Sequence, residues 1–116
     1  MVFKISEKAI FAEGSRGFKT FEGFKKALGS AGEGRHWHHI VGQTKENIAK
    51  FGSDAIHNTN NLVSIDAKIH QNISNYYSSK FDWTGGKTVR DWVGTLSLEK
   101  QREYGTKVMR DFGVIK

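Results

Sequence analysis

The sequence contains no cysteine and no proline. Without thiols there is no disulfide and no thiolate-bound zinc, so packing and hydrogen bonding must hold the chain together. Average proline usage of about 5% would place several in a chain of this size. Their absence leaves thirteen glycines to mark the breaks between elements. Long apolar runs are missing too, and nothing approaches the roughly 18 residues of a membrane span. The opening residues Met1-Val2-Phe3-Lys4 lack the pattern of a signal peptide, so any export is expected to rely on another carrier. Acidic residues are outnumbered, 12 Asp+Glu against 18 Lys+Arg, for a net charge of +6. With a pI of about 9.7 and basic residues spread along the whole length, the chain is expected to attract polyanions, nucleic acid first.

What is present fits one domain, residues 1–116. The hydrophobic share is 37% and the mean hydropathy −0.54, polar but sufficient for a modest core. Residues 2–5 read as a short strand and Gly14–Gly17 as a turn. Residues 20–28 read as a helix with Phe21, Phe24 and Leu28 on one side. Gly29, Gly32 and Gly34 loosen the chain before a strand at 36–41, rich in aromatic and β-branched side chains. A helix at about 44–51, ended by Gly52-Ser53-Asp54, leads to the turn-forming cluster Asn58-Thr59-Asn60-Asn61. A second strand at 62–65 follows, and Asp66 is a suitable N-cap for a helix at about 67–80. On that helix Ile69, Ile73 and Tyr76 share a core face, while His70, Ser74 and Tyr77 share another turned about 100° away. After Gly85-Gly86, Val89, Trp92, Val93 and Leu96 have helical spacing, and a last helix runs from Leu98 to Phe112. Trp37 is expected to pack under the strands, and Trp83 and Trp92 to anchor the C-terminal helices.

Three of the five histidines fall in Arg35-His36-Trp37-His38-His39-Ile40-Val41. At neutral pH imidazole either accepts a proton or binds a transition metal. Phosphodiester hydrolysis can use both, a metal to neutralise charge on the phosphoryl group and a base to activate water. His38 and His39 supply two adjacent candidates, and His70 a third on the later helix. Asn61 stands nine positions before His70 and twenty-two after His39. Nothing pairs with His36 or His57 by spacing, and both are expected to be ordinary polar residues. Adjacent strand residues point to opposite faces, so His38 and His39 can serve one ion only at a bend, a bulge or a strand end.

This arrangement closely resembles the HNH nucleases, also called the His-Me finger or ββα-metal class. Trp37-His38-His39-Ile40-Val41 is similar to the WHH branch, whose members often form the C-terminal toxin domains of bacterial polymorphic or contact-dependent toxins. The likeness takes in residues 37–80 and, beyond them, Thr88-Val89-Arg90-Asp91-Trp92 with the last helix; residues 1–34 match nothing. The resemblance implies an α+β fold with a small ββα-metal core at about 35–80, a two-stranded hairpin packed on a helix. Additional helices would surround it, including a helical C-terminal part at about 87–113.

Carried onto this sequence, the resemblance makes His39 the general base, Asn61 the residue that holds the His39 ring or backbone, and His38 and His70 the ligands of one divalent ion. Mg is the ion expected in cells, with Mn, Ni or Zn able to substitute. Colicin-type relatives have another histidine one helical turn after the ligand, where this chain has Ser74. They also have an acid two residues before the histidine pair, where it has His36. Arg35, Tyr77 and Lys80 are candidate contacts for nucleic acid. The implied activity is endonuclease cleavage of DNA with little sequence preference, leaving 5′-phosphate and 3′-hydroxyl ends. The implied setting is a monomeric toxin domain, delivered within a larger protein into the cytoplasm of a target bacterium and countered by an immunity protein. A ribonuclease toxin using the same histidines, or a non-catalytic nucleic-acid-binding module with a structural zinc, are the competing expectations.

Overall fold

Short polar side chains open most of the helices. Thr20, Thr44, Asp66, Thr88 and Ser97 each accept a hydrogen bond from a backbone N–H in the turn that follows. Each satisfies a donor that a helix start leaves free, an interaction that contributes about 1 kcal/mol. The structure is a computed structural model and describes residues 9–12 and 14–116. The strand expected at 2–5 lies outside the described residues.

Six α-helices occur among the described residues: α1 (Phe21–Leu28), α2 (Lys45–Phe51), α3 (Ser53–Ile56), α4 (Ala67–Tyr77), α5 (Val89–Val93) and α6 (Leu98–Asp111). Helix α3 was not anticipated. The chain turns at Gly52, whose φ of 90° suits only glycine, and resumes helical geometry instead of entering a loop. Helix α4 stops three residues earlier than its apolar spacing predicts. Ser78 caps it, and Lys80 already pairs with Thr88 in an isolated antiparallel bridge. No helix among the described residues is long and apolar enough to cross a membrane.

Among the described residues three strands, β1 (Ile10–Phe11), β2 (Arg35–His39) and β3 (Leu62–Asp66), form an antiparallel sheet in the order β1-β3-β2. The expected pair of strands is thus joined by a third, and α2, close to the helix expected at about 44–51, separates β2 from β3 together with α3. Register runs without interruption from Arg35 opposite Asp66 to His39 opposite Leu62. Residues directly opposite share a face. His36, His38, Val63 and Ile65 therefore look one way, and Arg35, Trp37, His39, Leu62 and Ser64 the other.

Each face has its own cover. Val63, Ile65 and Ile40 pack with Ile73 of α4 and with Val108, Met109 and Val114 at the C-terminal end. Full burial of each such side chain is worth about 1.5–3 kcal/mol. On the opposite face the Phe24 ring of α1 meets Trp37 edge-on, with centroids 5.0 Å apart, and Trp37 Nε1 donates to the Gly29 carbonyl at 3.0 Å. Leu28, expected beside Phe24, is exposed. Helix α6 closes the architecture. Its Gly105 lies against Ile40, one residue beyond β2, and one turn earlier Gln101 exchanges amide hydrogen bonds with Asn47 of α2 at 2.9 and 3.1 Å. The C-terminal helix therefore braces the exit of the histidine strand.

Candidate functional site

A cavity of about 270 Å³ opens between the end of β2, the segment after it and α4, and reaches α5 and α6. His38 and His39 border it from the strand, and His70, Ser74 and Tyr77 from the helix. The three helix residues are the polar stripe that one-face spacing predicts, so α4 turns its apolar side to the sheet and this side to the cavity.

His38 is 5% exposed, and its Nε2 is buried with no hydrogen-bond partner. Burial, with the nearby His70 ring as the lesser cause, pushes its pKa down to about 4, so the imidazole is neutral at pH 7. An unpaired buried nitrogen costs about 1–3 kcal/mol, so an ordered water or an ion is its natural partner. The His70 ring stands 5.4 Å from that of His38, centroid to centroid, and burial followed by the His36 ring lowers its pKa too. These two neutral rings, expected as ligands, are brought together, and a lone pair on an otherwise orphaned nitrogen is suited to a metal ion.

His39 is placed differently. The sheet has no bulge here, so alternation turns the neighbouring rings to opposite faces of β2, although both border the cavity. Of the three exceptions that could join them, only the strand end is present, since His39 is the last residue of β2. Its ring turns to Phe21, 4.9 Å away edge-on, and a 3.2 Å hydrogen bond joins its Nε2 to His57 Nδ1. Burial first, then the His57, His38 and His70 rings, push the His39 pKa down to about 3. His57 is buried as well, which lowers its pKa, and its ring stacks on Phe21.

Asn61 is fully buried, and its side chain hydrogen-bonds to backbone groups. Its Oδ1 accepts from the Val41 N–H at 2.9 Å, and its Nδ2 donates to the carbonyls of Val41 at 3.0 Å and Ile56 at 2.9 Å. It therefore ties the chain just after His39 to the chain just before His57. These bonds fix the backbone two residues beyond His39 and do not involve the His39 ring.

The candidate nucleic-acid contacts separate. Tyr77 borders the cavity, and burial raises its pKa, with Tyr76 adding to the effect. Arg35 is on the face of β2 opposite His36 and His38, where its Nε donates to Ser64 Oγ at 2.7 Å and its Nη2 to the Ser64 carbonyl at 2.6 Å. Lys80 is exposed beyond the end of α4 and does not border the cavity. Arg90 of α5 does border it, donating from Nη1 to Ser78 Oγ at 3.0 Å, with its guanidinium 6.0 Å from the Tyr77 ring centre. Sequence spacing had no hold on Arg90, because a break at Gly85-Gly86 lies between it and α4. His36 and His57, read as ordinary polar residues, both have imidazole partners. The His36 ring lies 5.3 Å from that of His70, and strand alternation from His38 was the signal for it. Compared with known proteins, the chain matched no family model, no curated protein and no solved structure.

Proposed function

We propose that the protein is a metal-dependent endonuclease of the ββα-metal kind that hydrolyses phosphodiester bonds of DNA. The observation that carries this reading is the buried, unpartnered Nε2 of His38 beside the His70 ring, on a helix that directly follows two antiparallel strands. A divalent ion held by His38 and His70 would supply charge neutralisation at a phosphoryl oxygen and at the departing 3′ oxygen.

The chain's own groups do the rest. His39 is neutral at pH 7 and takes a proton from the attacking water through Nδ1, while Nε2–H donates to His57 Nδ1 and fixes the tautomer. A phosphodiester anion beside the ring favours its protonated form and raises its basicity from the empty-site value. Asn61 holds the backbone on which His39 depends. Arg90 and Tyr77 face the entering phosphate, and the +6 net charge draws in the polyanion, so binding weakens steeply with salt. In a toxin setting, an immunity protein would be acidic where it covers this surface.

The test incubates purified protein with supercoiled plasmid and with total RNA, across a series of divalent metals and in excess chelator. Metal-dependent nicking of plasmid, lost in His39→Ala with the circular dichroism spectrum retained, is the expected result. Full activity in His39→Ala or in chelator overturns the mechanism. Degradation of RNA alone replaces it with a ribonuclease, and stoichiometric zinc without cleavage of either substrate leaves a binding module.

A further inference from the structure

His36 is the one histidine near the cavity to which no role has been given. It lies two residues before His38 on the same face of β2, and the His70 ring stands between them, 5.3 Å from one and 5.4 Å from the other. With metal–nitrogen bonds of 2.0–2.1 Å, two imidazoles on one tetrahedral ion have ring centres roughly 5 Å apart. Both separations are close to that value. Among the described residues no three His, Asp or Glu side chains already stand gathered for an ion, so one ligand has to turn inward. His36 is free to do so, being exposed where His38 is locked by burial.

The donor set also bears on which ion. The cavity is bordered by imidazoles, amides, hydroxyls and the Arg90 guanidinium, and no Asp or Glu is among the described residues that line it. Neutral imidazoles bind zinc and nickel well, whereas magnesium is held through carboxylates and retained water.

We propose that His36, His38 and His70 together hold one borderline divalent cation of the zinc or nickel class, with His36 closing in as third ligand, and that the site discriminates against magnesium. This rests on the two-imidazole ion site proposed above and replaces the magnesium expected from resemblance. The fourth position stays open, the pattern of a catalytic centre.

The experiment measures binding directly, by calorimetry on the full chain with zinc, nickel and magnesium salts, and separately by the visible absorption of bound cobalt. Wild type should bind one zinc or nickel ion per chain and give the intense absorption of four-coordinate cobalt, with no heat from magnesium in the same range. His36→Ala should weaken zinc binding about a hundredfold and change the cobalt spectrum. Its melting temperature in chelator should match wild type, since an exposed side chain is removed. Unchanged affinity and spectrum in His36→Ala, with binding lost in His38→Ala and His70→Ala, overturn the third ligand and leave the two-imidazole site standing. Binding retained in all three variants overturns both. Magnesium binding as tightly as zinc overturns the proposed discrimination.

Discussion

Asn61 and Val41 exchange two hydrogen bonds, Oδ1 accepting from the Val41 N–H at 2.9 Å and Nδ2 donating to the Val41 carbonyl at 3.0 Å. The side-chain amide thus imitates a strand partner where the sheet has already ended, and it holds the chain beyond His39 in line. Asn61→Ala strips partners from the Val41 N–H and from the carbonyls of Val41 and Ile56. Each buried orphan costs about 1–3 kcal/mol, so urea denaturation should reveal a loss of several kcal/mol. Asn61→Asp should be equally damaging, because it turns a carboxylate oxygen toward two carbonyls. A variant as stable as wild type would mean that the loop is held by something else.

His57 should matter to rate and not to metal. Replacing it with alanine removes the partner of His39 Nε2 and leaves the His39 tautomer free. Cleavage should fall about tenfold to a hundredfold, with zinc affinity unchanged. In His57→Asn the Oδ1 takes the place of Nδ1, and most of the lost rate should return. Equal rates for wild type and His57→Ala in a plasmid-nicking time course would remove His57 from the site.

Stability of the metal-free protein should fall with acid in a defined window. An unfolded chain protonates His38 and His39 below about pH 6.5, whereas in the folded protein burial delays this to about 4 and about 3. The unfolded state therefore binds more protons across that window, and folding stability is lost as pH drops through it. At about pH 5 the loss is about 2 kcal/mol for each ring. Urea midpoints measured in chelator at neutral and acidic pH decide this, and a flat profile would mean that the rings are less buried than described.

Gly105→Ala tests the brace on the histidine strand. A Cβ there would fall against the Ile40 carbonyl and 2.9 Å from Ile40 Cγ2. Alanine gains about 1 kcal/mol of helix propensity over glycine, but forcing atoms into a packed contact costs about 1–3 kcal/mol. Because the obstacle includes backbone, the clash should win. A lowered melting temperature with a matching loss of zinc affinity is expected, and a stabilised variant would contradict the close approach.

Much of this arrangement is legible in the sequence because its signals are local. Asp66 and Ser97 announce helix starts, and Ile69, Ile73 and Tyr76 against His70, Ser74 and Tyr77 separate the two faces of α4. Alternation along β2 was legible too, and followed consistently it puts Arg35 on the far side from His38 and His36 on the near side. What escaped has no periodic trace. His57 reaches His39 through α3 and a turn, a path set by packing against Phe21 and by the Asn61 hydrogen bond to Ile56. Arg90 enters the cavity because the chain folds back after Gly85-Gly86, a direction that no residue spacing encodes.

The contact between Gly105 and Ile40 also bears on timing. During synthesis every histidine emerges before α6 does, so a growing chain carries all five imidazoles while the wall behind them is still missing. A nascent or C-terminally clipped chain would expose its histidine strand without a shaped pocket. The shape of the pocket is then one of the last properties the polypeptide acquires.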